Sequence, residues 1–137
     1  MSGKTFLDTN IVVYLYSGDE PEKQATALAL IEGSVPVVST QVLSELANTL
    51  SRKFKLSYDV VAQAVAEVRD ACTVVPVTPD TILQALVLAQ KYRYAYYDSL
   101  ILAAALSAGC ETLATEDMQH GQVIEGTLKI HCPFVKS

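Results

Sequence analysis

Four acidic side chains occupy positions where the pattern of the chain allows hydrolytic chemistry. Asp8 follows the apolar run "TFL", Asp117 follows "TLATE", Asp98 precedes the apolar stretch "SLILAAAL", and Glu45 lies inside "VLSELANTL". Carboxylate oxygens are the ligands that hard cations such as Mg²⁺ and Mn²⁺ prefer. A divalent cation held by carboxylates and carrying bound water can hydrolyse phosphodiesters. The acids are therefore the candidate catalytic and metal-ligating residues.

The elements that must bring these acids together indicate an α/β chain. Short apolar runs alternate with segments of helical spacing, and the runs are continuously apolar, which is typical of parallel strands covered on both faces. Because function gathers beyond the carboxyl ends of parallel strands, we expect Asp8 and Asp117 at one edge of the sheet. The predicted strands are Thr5–Leu7, Val35–Thr40, Cys72–Thr78, Glu111–Asp117 and Thr127–Val135.

The predicted helices fill the intervals between these strands. Ser39 or Thr40 can cap one helix and Ser57 another, while Asp98 can cap the helix that it begins. That last helix has leucine, isoleucine and alanine on every face, so we expect it to be buried all round. The helices are predicted over residues 10–18, 21–33, 41–54, 58–71, 79–92 and from 98 onward.

Each acid also has a purely structural explanation. Asp8 and Asp98 could be helix caps, Asp117 could be an ordinary turn residue, and Glu45 could face water at the border of an apolar stripe. Gathered at one edge, however, carboxylates repel. One pair about 4 Å apart costs roughly 4 kcal/mol at an effective dielectric of about 20, in a domain that is stable by only about 5–15 kcal/mol. A divalent cation would remove that cost.

Four motifs, taken in order and at their separations, resemble the PIN domain family. They are "FLDTNIVVYL", "TQVLSELANTL", "YYDSLILAAAL" and "LATEDMQHG", and the similarity to ribonuclease toxins of the VapC type covers nearly the whole chain. The resemblance implies one domain over residues 1–137, with a three-layer α/β/α fold around a mainly parallel sheet. It also implies that Thr9, Asn10 and Thr115 orient the acids or water. The acidic residues of the family map to Asp8, Glu45, Asp98 and Asp117.

The same resemblance implies an activity and partners. The chain is expected to be an endoribonuclease that uses Mg²⁺, or Mn²⁺ in its place, and leaves a 5′-phosphate. A small antitoxin of the VapB type is expected to block the acidic site with a basic residue. The family also leads us to expect a homodimer. An alternative is a PIN-like module that binds RNA or protein without catalysis. A phosphoacceptor signalling domain fits poorly, because no lysine ends the late strand "ATED".

Two clusters of basic and aromatic residues are candidates for RNA binding. They span 52–55 ("RKFK") and 91–97 ("KYRYAYY"). The structural alternative is that the charges complement helix C-termini and that the tyrosines pack at a helix junction. In the functional interpretation, cations contact phosphates and tyrosine faces stack on bases. Lys91 and Arg93 are favoured because they lie close to Asp98 in the chain.

Composition excludes several classes of protein. The net charge of −5 argues against a positive surface that binds nucleic acid non-specifically. Three scattered cysteines without a CxxC pair fit a reducing compartment, and no signal peptide or membrane-spanning stretch is seen, so we expect a cytoplasmic protein. GxGxxG, Walker A and HExxH motifs are absent. His120 and His131 are isolated in the sequence, and Ser99 has no matched histidine for a nucleophilic triad.

Overall fold

Six strands of the described chain form one sheet with the order β3-β2-β1-β4-β6-β5. The computed structural model describes residues 3–135. Five strands are parallel, and β5 alone runs antiparallel to its neighbour β6. The mainly parallel α/β sheet is therefore confirmed. The strands are β1 Lys4–Leu7, β2 Val35–Ser39, β3 Thr73–Val75, β4 Thr112–Ala114, β5 Val123–Ile124 and β6 Leu128–His131.

Six helices connect the strands, and side-chain caps begin several of them. Ser39, Ser57 and Thr78 each accept a hydrogen bond from a backbone N–H in the first turn, which satisfies a donor that the helix itself cannot. The helices are α1 Thr9–Val13, α2 Pro21–Gly33, α3 Thr40–Arg52, α4 Tyr58–Ala71, α5 Pro79–Tyr92 and α6 Tyr96–Ser107. Three of the predicted helix starts, at Pro21, Tyr58 and Pro79, are confirmed to the residue.

The strand order reverses at β1, and this reversal gives the fold its three layers. The chain runs from β1 outward to β3 and then returns across the sheet to β4, on the other side of β1. Right-handed crossovers change faces when the direction of travel changes. The helices that link β1, β2 and β3 therefore cover one face, and α5 and α6 cover the other. The expected α/β/α arrangement is confirmed.

Helix α6 is buried on all sides, as its composition predicts. Seven consecutive residues from Ser99 to Ala105 are at most 6% exposed. The expected Asp98 cap is wrong, because α6 begins at Tyr96 with Ala95 in the cap position and without a side-chain hydrogen bond there. Arg93, in the left-handed conformation, ends α5, and α6 begins at Tyr96, two residues before Asp98. Asp98 therefore lies in the first turn, with its carboxylate not engaged in capping.

Other elements also differ from the prediction, and the later strands β3, β4 and β6 are all shorter than expected. The helix expected over residues 10–18 is a five-residue α-helix, α1, followed by a 3₁₀ turn over Tyr14–Tyr16. The two-residue strand β5 was not predicted, because so short a segment carries no periodicity. No helix in the described chain is both long enough and apolar enough to cross a membrane.

Candidate active site

Asp8 is the most constrained of the four acids. It directly follows β1, and its backbone N–H donates to the carbonyl of Ala114 at 3.0 Å, so the ladder between β1 and β4 holds it in place. Its Oδ1 accepts from the backbone N–H of Thr9 at 2.7 Å, and its Oδ2 accepts from the hydroxyl of Thr115 at 2.7 Å. The side chain is only 6% exposed. Both carboxylate oxygens are thus oriented by the chain itself.

Asp117 lies beyond the end of the neighbouring strand β4 and is linked to Asp8 through Thr115. The hydroxyl of Thr115 donates to Asp8 and accepts from the backbone N–H of Asp117 at 3.1 Å. Asn10 Nδ2 donates to Asp117 Oδ2 at 3.1 Å. Thr115 is fully buried, whereas Asp117 is exposed. Asn10 and Thr115 therefore contact the acids in the way expected of orienting residues.

Glu45 extends from the middle of α3 toward the same edge. Its Oε1 accepts from the hydroxyl of Thr9 at 2.6 Å and from the amide of Gln41 at 3.4 Å. The amide of Gln41 also donates to the backbone carbonyl of Tyr97 at 3.3 Å, which joins the start of α3 to the start of α6. Gln41 Oε1 is buried without a hydrogen-bond partner among the described residues. Gln41 was not predicted, although it lies one turn before Glu45 on the same face of the helix.

Asp98 differs from the other three acids, because its carboxylate accepts no hydrogen bond from the described residues. It lies half-buried in the first turn of α6, where the partial positive charge of the helix N-terminus favours an anion. Asp98 is therefore the acid with most capacity left for a ligand.

Burial and mutual repulsion raise the pKa of two of these acids. Burial is the main reason that the pKa of Asp8 rises from 3.8 to about 6; the hydrogen bonds from Thr115 and Thr9 oppose the rise, and repulsion from Asp117 and Asp98 adds to it. The pKa of Asp98 is raised by burial first, and then by Asp117 and Glu45. The acids thus affect one another electrostatically across four elements of the fold, β1, β4, α3 and α6.

The four acids line one cleft of about 670 Å³. None of them pairs with a lysine or arginine, since the ion pairs of the described chain all lie elsewhere. The oxygen-rich donor set suits Mg²⁺ or Mn²⁺. Across residues 3–135, no group of three or more acidic, histidine or cysteine side chains is arranged as a ready-made metal site. Mg²⁺ is commonly bound through one or two carboxylates and keeps several of its waters. The other lining residues are Thr9, Asn10, Gln41, Ser44, Asn48, Thr49, Tyr97 and Ile101.

A second group of side chains fixes the segment that carries Asp117. Glu116 turns away from the cleft, accepts a hydrogen bond from the hydroxyl of Tyr14, and pairs with Lys23 at 3.3 Å. The ammonium of Lys23 lies 4.9 Å from the ring centre of Tyr14 and 5.1 Å from that of Phe134. Glu116 is thereby held outside the cleft while Asp117 lines it. These partners are far apart in the chain, so no local pattern could have revealed them.

The predicted RNA-binding residues lie outside the lining of the cleft. Lys91, in the last turn of α5, pairs with Glu125 at 2.6 Å, and Arg93 is the exposed left-handed residue that ends this helix. The isolated histidines of the sequence prove to be neighbours, with ring centres 5.4 Å apart. His120 Nδ1 accepts from the backbone N–H of Cys132. These histidines are not among the residues that line the cleft.

Comparison with known proteins gives a family and a set of related folds. A family model described as PIN domain matches residues 5–124. The chain is similar to VapC20 of Mycobacterium tuberculosis, described as a sarcin–ricin loop cleaving toxin, with 25% identity over 82% of this chain and 89% of that one (TM-score 0.64). No curated protein sequence matches this chain.

Two complexes share the fold at lower identity. A toxin–antitoxin complex from Klebsiella pneumoniae is 21% identical over 95% of this chain and 98% of that chain, with a TM-score of 0.71. VapBC2 from Rickettsia felis, bound to a DNA fragment from its promoter, is 18% identical over 93% and 98%, with a TM-score of 0.67. At this level of identity the two complexes show a common fold.

The raised pKa of Asp8 predicts a pH-dependent effect of Asp8→Asn on stability in metal-free buffer. The pKa of Asp8 is about 6 in the folded state and 3.8 in the unfolded state. Its burial therefore does not lower the free energy of unfolding below pH ~4, lowers it progressively as the pH rises to ~6, and lowers it by the full amount above that. The full cost is roughly 3 kcal/mol, at about 1.4 kcal/mol for each pKa unit. Between pH 4 and 7, wild type should lose about this much free energy of unfolding relative to Asp8→Asn, as measured by urea unfolding in EDTA.

Asp59→Asn is the matched control for this measurement. Asp59 is exposed in the first turn of α4 and does not line the cleft. Asp59→Asn also removes a carboxylate, but this one is exposed to solvent, so the substitution relieves no cost of burying a charge. If the difference between wild type and Asp8→Asn is equal at the two pH values, or no larger than for Asp59→Asn, the electrostatic description of Asp8 is wrong.

Proposed function

The chain belongs to the PIN domain family, and on that premise we propose that it is a metal-dependent endoribonuclease acting as the toxin of a toxin–antitoxin pair. One observation carries the proposal. Four carboxylates line a single cleft at the point where the strand order reverses, and none of them has a cationic partner among the described residues. An open α/β sheet binds its ligands at such a point. An uncompensated acidic cleft there suits a divalent cation and a phosphodiester.

Asp8, Glu45, Asp98 and Asp117 would hold the cation, Mg²⁺ or Mn²⁺ in its place. When bound, such an ion supplies an activated water and offsets negative charge on the phosphodiester. Thr9, Asn10 and Thr115 keep three of the acids in fixed orientations through the hydrogen bonds described above. Asp98 has oxygens free of such bonds and a raised pKa, so it is best suited to accept the proton of the attacking water.

The substrate in this proposal is RNA, and the place of action is the cytoplasm. VapC20 is described as cleaving the sarcin–ricin loop, which supports RNA as the class of substrate without identifying the target of this chain. Lys91 and Arg93 remain predicted contacts for RNA phosphates. The alternative, a PIN-like module that only binds, keeps the same cleft but performs no hydrolysis.

A protein inhibitor is the second partner in the proposal. Related folds have been solved as toxin–antitoxin complexes. A guanidinium group binds two carboxylate oxygens at once and would place a positive charge among the acids of the cleft.

We also propose that the chain forms homodimers. Apolar side chains exposed on α5, such as Leu83 and Val87 at 61% each, offer surface that self-association would cover, and light scattering showing a monomer at working concentration would contradict this part.

Removing a carboxylate from the cleft should abolish cleavage without unfolding the protein. We expect Asp8→Asn and Asp98→Asn each to lower the rate of RNA hydrolysis in Mg²⁺ by about 100-fold or more, the scale on which groups acting directly in proton transfer contribute. The metal-free thermal midpoint should stay level or rise, because repulsion is relieved. Asp59→Asn is the control and should cleave like wild type. Near-wild-type turnover in either cleft variant would show that the site is misassigned.

Divalent metal should stabilise the wild-type protein through the cleft. A ligand that binds only the folded state adds RT ln(1 + [L]/Kd), about 2.7 kcal/mol at 100 times Kd. Millimolar Mg²⁺ or Mn²⁺ should therefore raise the thermal midpoint of wild type and raise that of Asp98→Asn much less. Equal shifts in the two proteins, or none in either, would count against a metal site.

Metal and inhibitor should compete if both use the acids. Saturating Mg²⁺ is expected to weaken binding of the antitoxin encoded beside this chain, and Asp98→Asn is expected to weaken it as well, since an ion pair is lost. Isothermal titration with and without Mg²⁺ measures both effects. If affinity is unchanged in both experiments, the inhibitor acts away from the acidic cleft.

A further inference from the structure

Helix α3 has two faces of opposite character along its whole length. Val42, Leu46 and Leu50 are fully buried in the core. The opposite face is polar throughout and forms one wall of the cleft, from Gln41 at its start to Asn48 in its third turn. A helix needs only one apolar face to pack, so the regular polarity of the other face indicates a surface used for something else.

Arg52 continues this polar face beyond the acids. It lies four residues after Asn48 and seven after Glu45, on the same side of the helix at 3.6 residues per turn and roughly 10 Å from Glu45 along the axis. Its side chain is exposed and forms no ion pair or hydrogen bond with any residue in the described range. Lys91 in the other basic cluster is by contrast paired with Glu125. Arg52 is thus an unengaged cation in line with the cleft.

The opposite wall of the cleft offers an aromatic face. Tyr97 lines the cleft and is 65% exposed. Its ring contacts that of Tyr96 edge-on, with centres 5.2 Å apart, and the carbonyl of Tyr97 accepts from Gln41. The hydrogen bond from Gln41 holds the backbone of Tyr97 beside α3, while its ring remains open to the solvent. An exposed tyrosine ring beside a polar wall is suited to stacking on an unpaired base.

We propose that the polar face of α3 is a binding track for single-stranded RNA. The sugar–phosphate backbone runs along Asn48 to a phosphate contact at Arg52, and a base stacks on Tyr97 across the cleft. The track rests on the proposed function, since it leads a strand to the carboxylates. It also solves a problem of charge, because an acidic cleft repels a polyanion and needs a cation some distance from the acids to retain it.

A structural role for Arg52 is the competing explanation. A basic residue in the last turn of a helix stabilises the helix dipole, and Arg69 does the same at the end of α4. Arg69 is exposed, pairs with its neighbour Asp70, and lies on a helix that contributes no residue to the cleft lining, whereas Arg52 lies on α3, which does. Arg69→Gln is therefore a control that removes the same group from an equivalent helix position.

The experiment measures RNA binding as a function of salt. The probe is a fluorescein-labelled single-stranded oligouridylate of about 12 nucleotides, read by anisotropy in EDTA so that cleavage does not interfere. The association constant falls as salt rises, and loss of one phosphate contact should make the slope of its logarithm against log salt less steep by about 0.7. Near 150 mM salt the same loss should raise Kd about fourfold. We expect this for Arg52→Gln, and not for Arg52→Lys, which keeps the charge. Asn48→Ala and Tyr97→Ala should raise Kd without changing the slope.

The control variants distinguish a contact with RNA from stabilisation of a helix end. They also distinguish RNA binding from RNA cleavage. Arg69→Gln should leave both Kd and slope unchanged, while its thermal midpoint falls as little as that of Arg52→Gln. The double variant Lys91→Ala, Arg93→Ala tests the other predicted contacts in the same series. If Arg52→Gln binds like wild type, the track is wrong even where the protein cleaves RNA. If wild type does not cleave but Arg52→Gln loses binding as expected, the track stands and the proposed hydrolase does not.

Discussion

The buried carboxylate of Asp8 is the constraint on which the rest of the site depends. Its charge lies where β1 ends, almost out of contact with water, and an isolated buried charge is among the most destabilising features a small domain can carry. Two hydrogen bonds reduce that cost, one from the start of α1 and one from the residue that follows β4. Those donors have to be held in turn, which links the helices and strands around the cleft to one another.

The fold could largely be predicted because its signals are local. Continuously apolar runs mark the parallel strands, and Ser39 and Ser57 cap helices where the sequence suggests. The buried α6 follows from composition alone. The cap at Asp98 was predicted wrongly, because Asp is a favoured cap residue whereas α6 begins at Tyr96 with Ala95 in the cap position. The left-handed Arg93 that ends α5 also has no sequence signal, since this conformation is uncommon for residues other than glycine. The two-residue β5 depends on pairing with β6 and has no signal of its own.

The site was predictable as a set of acids but not as an arrangement. Motif resemblance identified the carboxylates and three of the residues that contact them. It did not identify Gln41, which connects α3 to α6, or the Tyr14 and Lys23 contacts to Glu116. These contacts join residues 56 to 102 positions apart, and only the folded chain brings them together. Resemblance predicted which acids belong together, and tertiary packing determines how their oxygens are arranged in the cleft.

The last strand of the sheet has a consequence for how the protein is made. The backbone N–H of Thr115 donates to the carbonyl of His131 in β6, and the ring of Phe134 packs against Tyr14 beside Glu116. Ribosomes synthesise these residues after every acid of the cleft. A growing chain therefore contains all four carboxylates before it contains the groups that hold the segment from Thr115 to Asp117. The contacts of His131 and Phe134 that hold this segment can therefore form only after residues 131–134 have been synthesised.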